Sequence, residues 1–401
     1  MPPPPPPPPS LPDELLEEIF LRLPPDEPAH LLRASLASKL WLGLLSSPRF
    51  RGRYHEHHGA PPMLGFLHTW HYGSHPTKVE DPIPYFKSTA KFGARIPDDE
   101  WGDIYYTAWD CRHGRVLLHC FDPYQLRTAL VVWDPMTGCR RELPGPWISD
   151  DSHAAAVLCA VSGCDHRTCH SAPFQLVIVG LDEDDHDDCV ARACVSLPET
   201  GDWSKPVPQF DAWVKPCPDL HLPADASIKP MPPLLVEGAL HFMLKYVDDD
   251  GAEILKYDLT SNSLSLIDAP VQYSHTVSAP ILMAMEDGSL GFAHVDKLTL
   301  YIWSRLMDSN RVASWSQCRI TNLSSLLPIQ NPEEIYLILV GSVEGSDTVF
   351  VTTDLGIYEI NVKSQRWKKI WKREIFRALI PYMSFYNPQE RVTPTPCDAA
   401  H

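Results

Sequence analysis

Between residues 11 and 54 the apolar positions recur at helical spacing. Leu15, Ile19 and Leu23 fall at i, i+4 and i+8, Leu16 and Phe20 widen that stripe, and Glu14, Glu17 and Glu18 lie largely off it. Ser10 stands where it can cap the first helical amides, with Asp13 three residues on, and Pro12 sits where a helix tolerates a missing N–H. Pro24-Pro25 ends the run. A second, short helix is expected behind Asp26, with Pro28 in its first turn and Leu31 and Leu32 on its apolar side. A third runs from Leu36 through Leu40, Trp41, Leu44 and Leu45 to Ser47-Pro48. Three helices in about 40 residues bury too little surface to be strongly stable alone, so this unit should lean on another chain.

From about residue 60 the texture changes to short β-rich runs broken by Gly, Pro, Asp and Asn. The runs come in repeating pairs. Residues 114–119 are followed by 130–138, 234–242 by 254–260, 287–292 by 298–303, and 349–356 by 357–361. A fifth copy ends in Cys194–Trp203, with Phe174–Val179 as its inner strand. Turn positions Gly138, Gly201, Asn262, Asn310 and Gln365 recur every ~50–60 residues, the period of four-stranded propeller blades. Met63–Leu67 and Ile380–Tyr386 are apolar strands at opposite ends of this region. Pairing them in one blade would close the ring and remove an exposed edge. The expected fold is therefore a small N-terminal all-α unit of three helices at 10–54, a linker at 55–60, and an all-β domain at 61–388. The β domain is a six-bladed β-propeller-like ring closed by its N- and C-terminal strands. Five or seven blades and a flattened β-sandwich remain alternatives. Residues 1–9, a polyproline run, and 389–401 are expected to be disordered tails.

The helical segment resembles the F-box. Its pattern of Leu-Pro, a Leu-rich helix ending in Leu-Pro, a Leu-Leu pair, a small-residue turn, Lys and Trp is met by Leu11-Pro12, Leu23-Pro24, Leu31-Leu32, Ala34 to Ser38, Lys39 and Trp41, with Phe50 closing the motif. Ser38 stands where many members have Cys, and Leu40 where many have Arg. The β region is similar to the F-box-associated β domains of plant, especially grass, F-box proteins. The resemblance implies a non-catalytic substrate-recognition subunit of an SCF-type E3 ubiquitin ligase. Its F-box would dock on a Skp-type adaptor, and through it a cullin, while the β domain holds a substrate protein for ubiquitination. The adaptor contacts carried over are Leu11, Pro12, Leu15, Ile19, Phe20, Leu23, Leu32, Leu36 and Trp41, some of which must also form the small core.

Composition narrows the partners. A net charge of −17 argues against nucleic acid or an anionic membrane, which need a basic footprint. No apolar stretch is long enough to span a bilayer. The 11 cysteines, scattered and odd in number, fit reduced thiols, so a cytoplasmic and/or nuclear protein is expected. Cys159, Cys164, His166, Cys169 and His170 fall within twelve residues and carry the donor types zinc prefers, which makes Cys164, His166, Cys169 and His170 the zinc candidates. The tight double Cys-x2-Cys knuckle is absent, and a plain hairpin loop is the favoured reading. Asp182 to Asp188 reads as a solvated loop tip, and His55 to His58 as solvated linker. Trp147 and Trp213, in Pro-rich loops, are candidates for a partner-binding surface. No nucleophile elbow, phosphate loop or metalloprotease motif occurs, and no cofactor is expected. The alternative function is a β-propeller enzyme or carbohydrate- or small-molecule-binding protein with a helical lid.

Overall fold

Four helices form where three were expected. α1 (Asp13–Leu21) has Pro12 at its N-cap position, one step outside the first turn. α2 (Pro28–Ala37) follows Glu27, with Pro28 as its first residue. The long third segment breaks at Ser38, whose extended backbone ends α2 and whose hydroxyl accepts the Leu40 N–H at 3.2 Å, capping α3 (Lys39–Ser46). Ser47 repeats the device, accepting from Phe50 N–H at 3.2 Å to start α4 (Pro48–His58).

Helix α4 runs through most of what was expected to be linker. Its Arg- and His-rich sequence hides an inward stripe, Phe50 and Tyr54 at i, i+4, both buried. It also serves α1. The Tyr54 hydroxyl donates to Leu23 O at 2.8 Å, and His58 Nε2 lies 2.9 Å from Leu21 O, so the C-terminal carbonyls of α1 find partners on α4. Arg53 pairs with Glu17 at 2.8 Å and Glu18 at 2.6 Å across the same seam.

The computed structural model describes residues 11–69, 86–89, 93–94, 105–122, 127–144, 152–164, 166, 169, 173–183, 189–196, 213–214, 219–246, 252–271, 279–307, 312–332, 337–374 and 377–386. Ser10, both expected tails, Trp147, His170, Gly201, Asn310 and 184–188 of the acidic run lie outside them, and Trp213 is placed only by its backbone. Among the described residues no helix is long and apolar enough to cross a membrane.

The β region forms six antiparallel sheets around one axis. β1 (Met63–Thr69) and β2 (Phe86–Ser88) begin blade 1. Blade 2 is β3 (Tyr105–Arg112), β4 (Arg115–Asp122), β5 (Arg127–Trp133) and β6 (Arg140–Pro144). Blade 3 holds β7 (His153–Cys159), β8 (Phe174–Glu183) and β9 (Cys189–Ser196). Its outer edge is split between β10 (Trp213–Val214) and β11 (Leu220–Leu222). In blade 4 the inner edge is split instead. There β12 (Ser227–Ile228) and β13 (Leu234–Val236) both pair with β14 (Ala239–Lys245), followed by β15 (Glu253–Asp258) and β16 (Ser263–Asp268). Blade 5 is β17 (Ile281–Ala284), β18 (Leu290–Asp296), β19 (Thr299–Met307) and β20 (Ala313–Asn322). Blade 6 is β21 (Ile338–Val343), β22 (Thr348–Thr352), β23 (Ile357–Asn361) and β24 (Arg366–Trp371). The last strand, β25 (Ala378–Met383), returns to blade 1 and pairs antiparallel with β1, Leu67 opposite Ile380 and Gly65 opposite Tyr382. The ring is closed by its two ends, as the pattern predicted. The strand expected from Cys194 starts instead at Cys189, as β9. Its small inward residues, Ala191 and Ala193, give a weak apolar signal.

The repeat that betrayed the blades is a turn with a mechanism. Asp134 Oδ1 accepts from Met136 N–H at 2.8 Å and its Oδ2 from the Thr137 hydroxyl at 2.6 Å. Asp258 accepts from Thr260 and Ser261 N–H at 3.0 and 2.9 Å, and Asn361 from Ser364 N–H at 2.8 Å. Each turn then needs one left-handed residue, supplied by Gly138 (φ 83°), Asn262 (φ 52°) and Gln365 (φ 55°).

Closure leaves no space at Gly341 in β21, where an added Cβ would collide with the backbone oxygen of Leu379 in β25. Gly341→Ala is therefore expected to destabilise the fold by about 1–3 kcal/mol. Gly43→Ala, inside α3 with open space around it, is expected to stabilise by about 0.5–1 kcal/mol. Thermal and urea melts of both variants check the opposite signs.

Candidate functional site

The helices carry more apolar surface than their core uses. Leu16, Phe20 and Leu21 of α1 pack on Leu31, Leu45, Phe50 and Tyr54. Phe20 also meets Trp41 edge-on, ring centroids 5.3 Å apart. One helical position away, Leu15 and Ile19 stay 52% and 47% exposed. Leu11 (52%), Leu32 (40%), Leu36 (73%) and Leu40 (55%) join them. Of the nine residues expected to meet an adaptor, Leu11, Pro12, Leu15, Ile19, Leu32 and Leu36 thus face solvent. Leu23 and Trp41 are half-buried, and Phe20 belongs to the core. Leu40, read as part of the third helix's apolar run and as a departure from the motif, adds to the exposed apolar set. Ser38, the other departure, has a local task as the cap of α3.

The helical unit is seated on blade 1. Phe385, just past β25, is buried among the helices. It stacks on His55 with centroids 4.2 Å apart and meets Tyr54 edge-on at 5.8 Å. Burial pushes the Tyr54 hydroxyl well above the ordinary phenol range, and Asp26 adds to it.

Behind this contact lies a cavity of about 300 Å³, walled by Arg51 and His55 of α4, by β25, and by residues of blades 2 to 6. Its floor is an ion cluster in which Arg112 and Asp110 are buried and Glu344 stays exposed. The Arg112 guanidinium contacts Asp110 and the carbonyl of Pro233, and donates to Glu344 at 3.0 and 3.2 Å. Asp110 also accepts from Val157 N–H of blade 3 at 2.8 Å, and Glu344 from Leu235 N–H of blade 4 at 2.8 Å. Burial pushes the Asp110 carboxyl up to about 6, against the pull of Arg112 and the Val157 N–H. Burial also works against the charge on Arg112, but Asp110 and Glu344 outweigh it and hold the guanidinium above its ordinary value. These charges are engaged with one another and with backbone, the arrangement of a structural hub joining blades 2, 3, 4 and 6. Sequence reasoning gave no sign of it, because its members lie up to 232 residues apart.

The zinc candidates Cys164, His166 and Cys169 come together in the connection after β7, and Cys159 at the end of β7 joins them. The fourth candidate, His170, is outside the described residues.

Comparison with known families decides the membership. Residues 8–52 match the F-box domain. Residues 107–389 match the model described as F-box protein AT5G49610-like, beta-propeller. The chain belongs to the AT5G49610-like F-box proteins.

No curated protein sequence matches the chain. Among solved structures it is similar to the WD40 domain of SCAP from fission yeast, at 12% identity and a TM-score of 0.33 over 72% of this chain and 58% of that one. Prolyl oligopeptidase B from Galerina marginata gives 12% and 0.33 over 68% and 37%. Oligogalacturonate lyase from Vibrio parahaemolyticus gives 9% and 0.32 over 70% and 84%. The chain spans 58%, 45% and 37% of the first three solved chains it matches. Values this low carry neither fold detail nor activity across.

The F-box protein is therefore an N-terminal helical F-box of four helices set on a six-bladed propeller, with the ion hub beneath the F-box. Arg112→Met strands Asp110 as a buried carboxylate without its cation, and is expected to destabilise the propeller by about 3–5 kcal/mol. Chemical denaturation followed by tryptophan fluorescence reads the loss. An unchanged midpoint would show that the hub contributes nothing to the ring.

Proposed function

We propose that this F-box protein is a substrate-recognition subunit of an SCF-type E3 ubiquitin ligase, non-catalytic itself. The F-box docks on a Skp-type adaptor and through it a cullin, and the propeller holds a substrate protein. The observation that carries this reading is the exposed apolar set of Leu11, Leu15 and Ile19 along α1 and Leu32 and Leu36 on α2, on a domain matched to the F-box. Exposed leucines gathered in one small unit are costly in water and are stabilised when a partner covers them. The role is geometric. Holding the substrate beside a ubiquitin-charged enzyme raises the effective concentration of its lysines without bond-making chemistry in this chain. Its work belongs in the cytoplasm, the nucleus or both, compartments that suit the scattered cysteines, odd in number, of the sequence.

Co-expression with a Skp-type adaptor tests the docking. The wild-type chain is expected to elute with the adaptor as a stoichiometric complex. Leu15→Asp combined with Ile19→Asp places two charges in that set and is expected to weaken the complex at least ~100-fold, while leaving the core residues Leu16 and Phe20 in place. Leu36→Asp alone should weaken it less. A wild-type chain that ignores the adaptor sinks the proposal. A folded double variant that still binds moves the contact to another face.

A further inference from the structure

The Cys/His group on blade 3 is not absorbed by the adaptor reading. Cys159 closes β7, opposite Phe174 across the hairpin, and the chain then turns through Gly163 (φ 68°). Cys164, His166 and Cys169 follow in the same connection. One donor atom from each of the four residues lies within 4.8 Å of all the others. His166 presents Nδ1 to the Cys169 thiol at 3.7 Å, and its backbone N–H donates to Cys164 Sγ at 3.4 Å.

A tetrahedral zinc with Zn–S near 2.3 Å and Zn–N near 2.0–2.1 Å needs donor separations of about 3.6–3.8 Å. The Cys169–His166 separation already has that value, and none of the other donor separations exceeds 4.8 Å. His166 reaches its place through a left-handed backbone (φ 59°), an unusual conformation for a non-glycine residue and one that turns its ring into the group. Its ring is stacked on His113 at 4.4 Å, which fixes the imidazole plane.

The charge around the group points the same way. Three thiolates, one neutral imidazole and Zn²⁺ sum to −1. Arg115 of blade 2 is buried beside them. Its guanidinium donates to the Cys169 carbonyl at 2.8 Å and lies over the Phe174 ring at 5.3 Å. A site of net charge −1 complements that buried cation.

We propose that Cys159, Cys164, His166 and Cys169 form a structural Cys₃His zinc site that fastens the β7–β8 connection of blade 3 against blade 2. The set is closed, with four protein donors, so the site is structural rather than catalytic. It also sets a wall of the cavity beneath the F-box, since His166 and Cys169 line that cavity. Thiolate and imidazole donors in a compact tetrahedral group select zinc over calcium or magnesium.

The full-length chain, purified without a histidine tag, is expected to carry about one zinc per molecule by elemental analysis. Cys164→Ser combined with Cys169→Ser should lower that content at least ~10-fold, while Cys318→Ser, on the exposed outer strand of blade 5, leaves it unchanged. Cobalt exchanged into the wild-type chain should give the intense visible bands of tetrahedral thiolate–cobalt. His166→Cys should keep the metal and shift those bands, which decides the matter even where the serine variants fold poorly. A folded wild-type chain that holds no zinc in zinc-supplemented growth and gives no cobalt–thiolate spectrum overturns the site. So does zinc retained in full by the double serine variant, or a disulfide between two of the three cysteines in freshly purified protein.

Discussion

The pairing of β1 with β25 is the contact on which the rest of the molecule depends. Five blades are built from strands that follow one another closely, so each can form through local hairpins. Blade 1 alone joins residues near 65 to residues near 380, and only that pairing removes the two free edges of the ring. Its tightness shows in two glycines. Gly65 lies under the Phe86 ring, and Gly341 lies against the backbone of Leu379, positions where any side chain would have to displace a neighbour. The same closure carries the chain out of β25 straight into the helical unit. Phe385 is thus at once the end of the propeller and part of the F-box core, and Tyr386 packs against both.

Around the axis, polar contacts do what apolar packing does between sheets. The Arg112 hub links blades 2, 3, 4 and 6 through one guanidinium, two carboxylates and backbone groups. A largely buried cluster of this kind adds little net stability over a well-packed apolar one. What it adds is registry, since the Arg112 guanidinium reaches acceptors in blades 2, 4 and 6 at once. The inner edge of blade 4, split between β12 and β13, shows the need. Pro233 lies in the gap between those short strands, and its free carbonyl is taken by Arg112.

Much of this architecture was legible because its signals are local. The Asp134, Asp258 and Asn361 turns each use a side-chain acceptor followed by a left-handed residue, a pattern written in five consecutive letters. The closing strands were legible because they are apolar runs lacking a neighbour. What was hidden depends on tertiary context. Helix α4 reads as a solvated Arg/His segment, and its purpose appears only when Tyr54 and His58 are seen against the carbonyls that end α1. On α1 the stripe was visible but its division was not. Leu15 and Leu16 differ by one position in sequence and by a partner in space, and no periodicity tells which of two adjacent leucines a small core will take.

That division is also where stability and function pull apart. A four-helix unit this small could hide Leu15 and Ile19 by rotating α1 about its axis, but Glu17 and Glu18 are tied to Arg53 and Leu21 O to His58. Leu16, Phe20 and Leu21 already fill the core on the other side of α1, and these polar contacts agree with that orientation. The stack of His55 on Phe385 then fixes the whole unit against blade 1. On the adaptor reading, the direction from the exposed set to the propeller is set by packed side chains rather than by a flexible linker. On that same reading, such a connection would hold a bound substrate at one orientation to the docking surface, so fewer arrangements would have to be searched before a lysine met its acceptor position. Residues 55–58, expected as linker, instead continue helix α4, with His55 stacked on Phe385 and His58 against the Leu21 carbonyl.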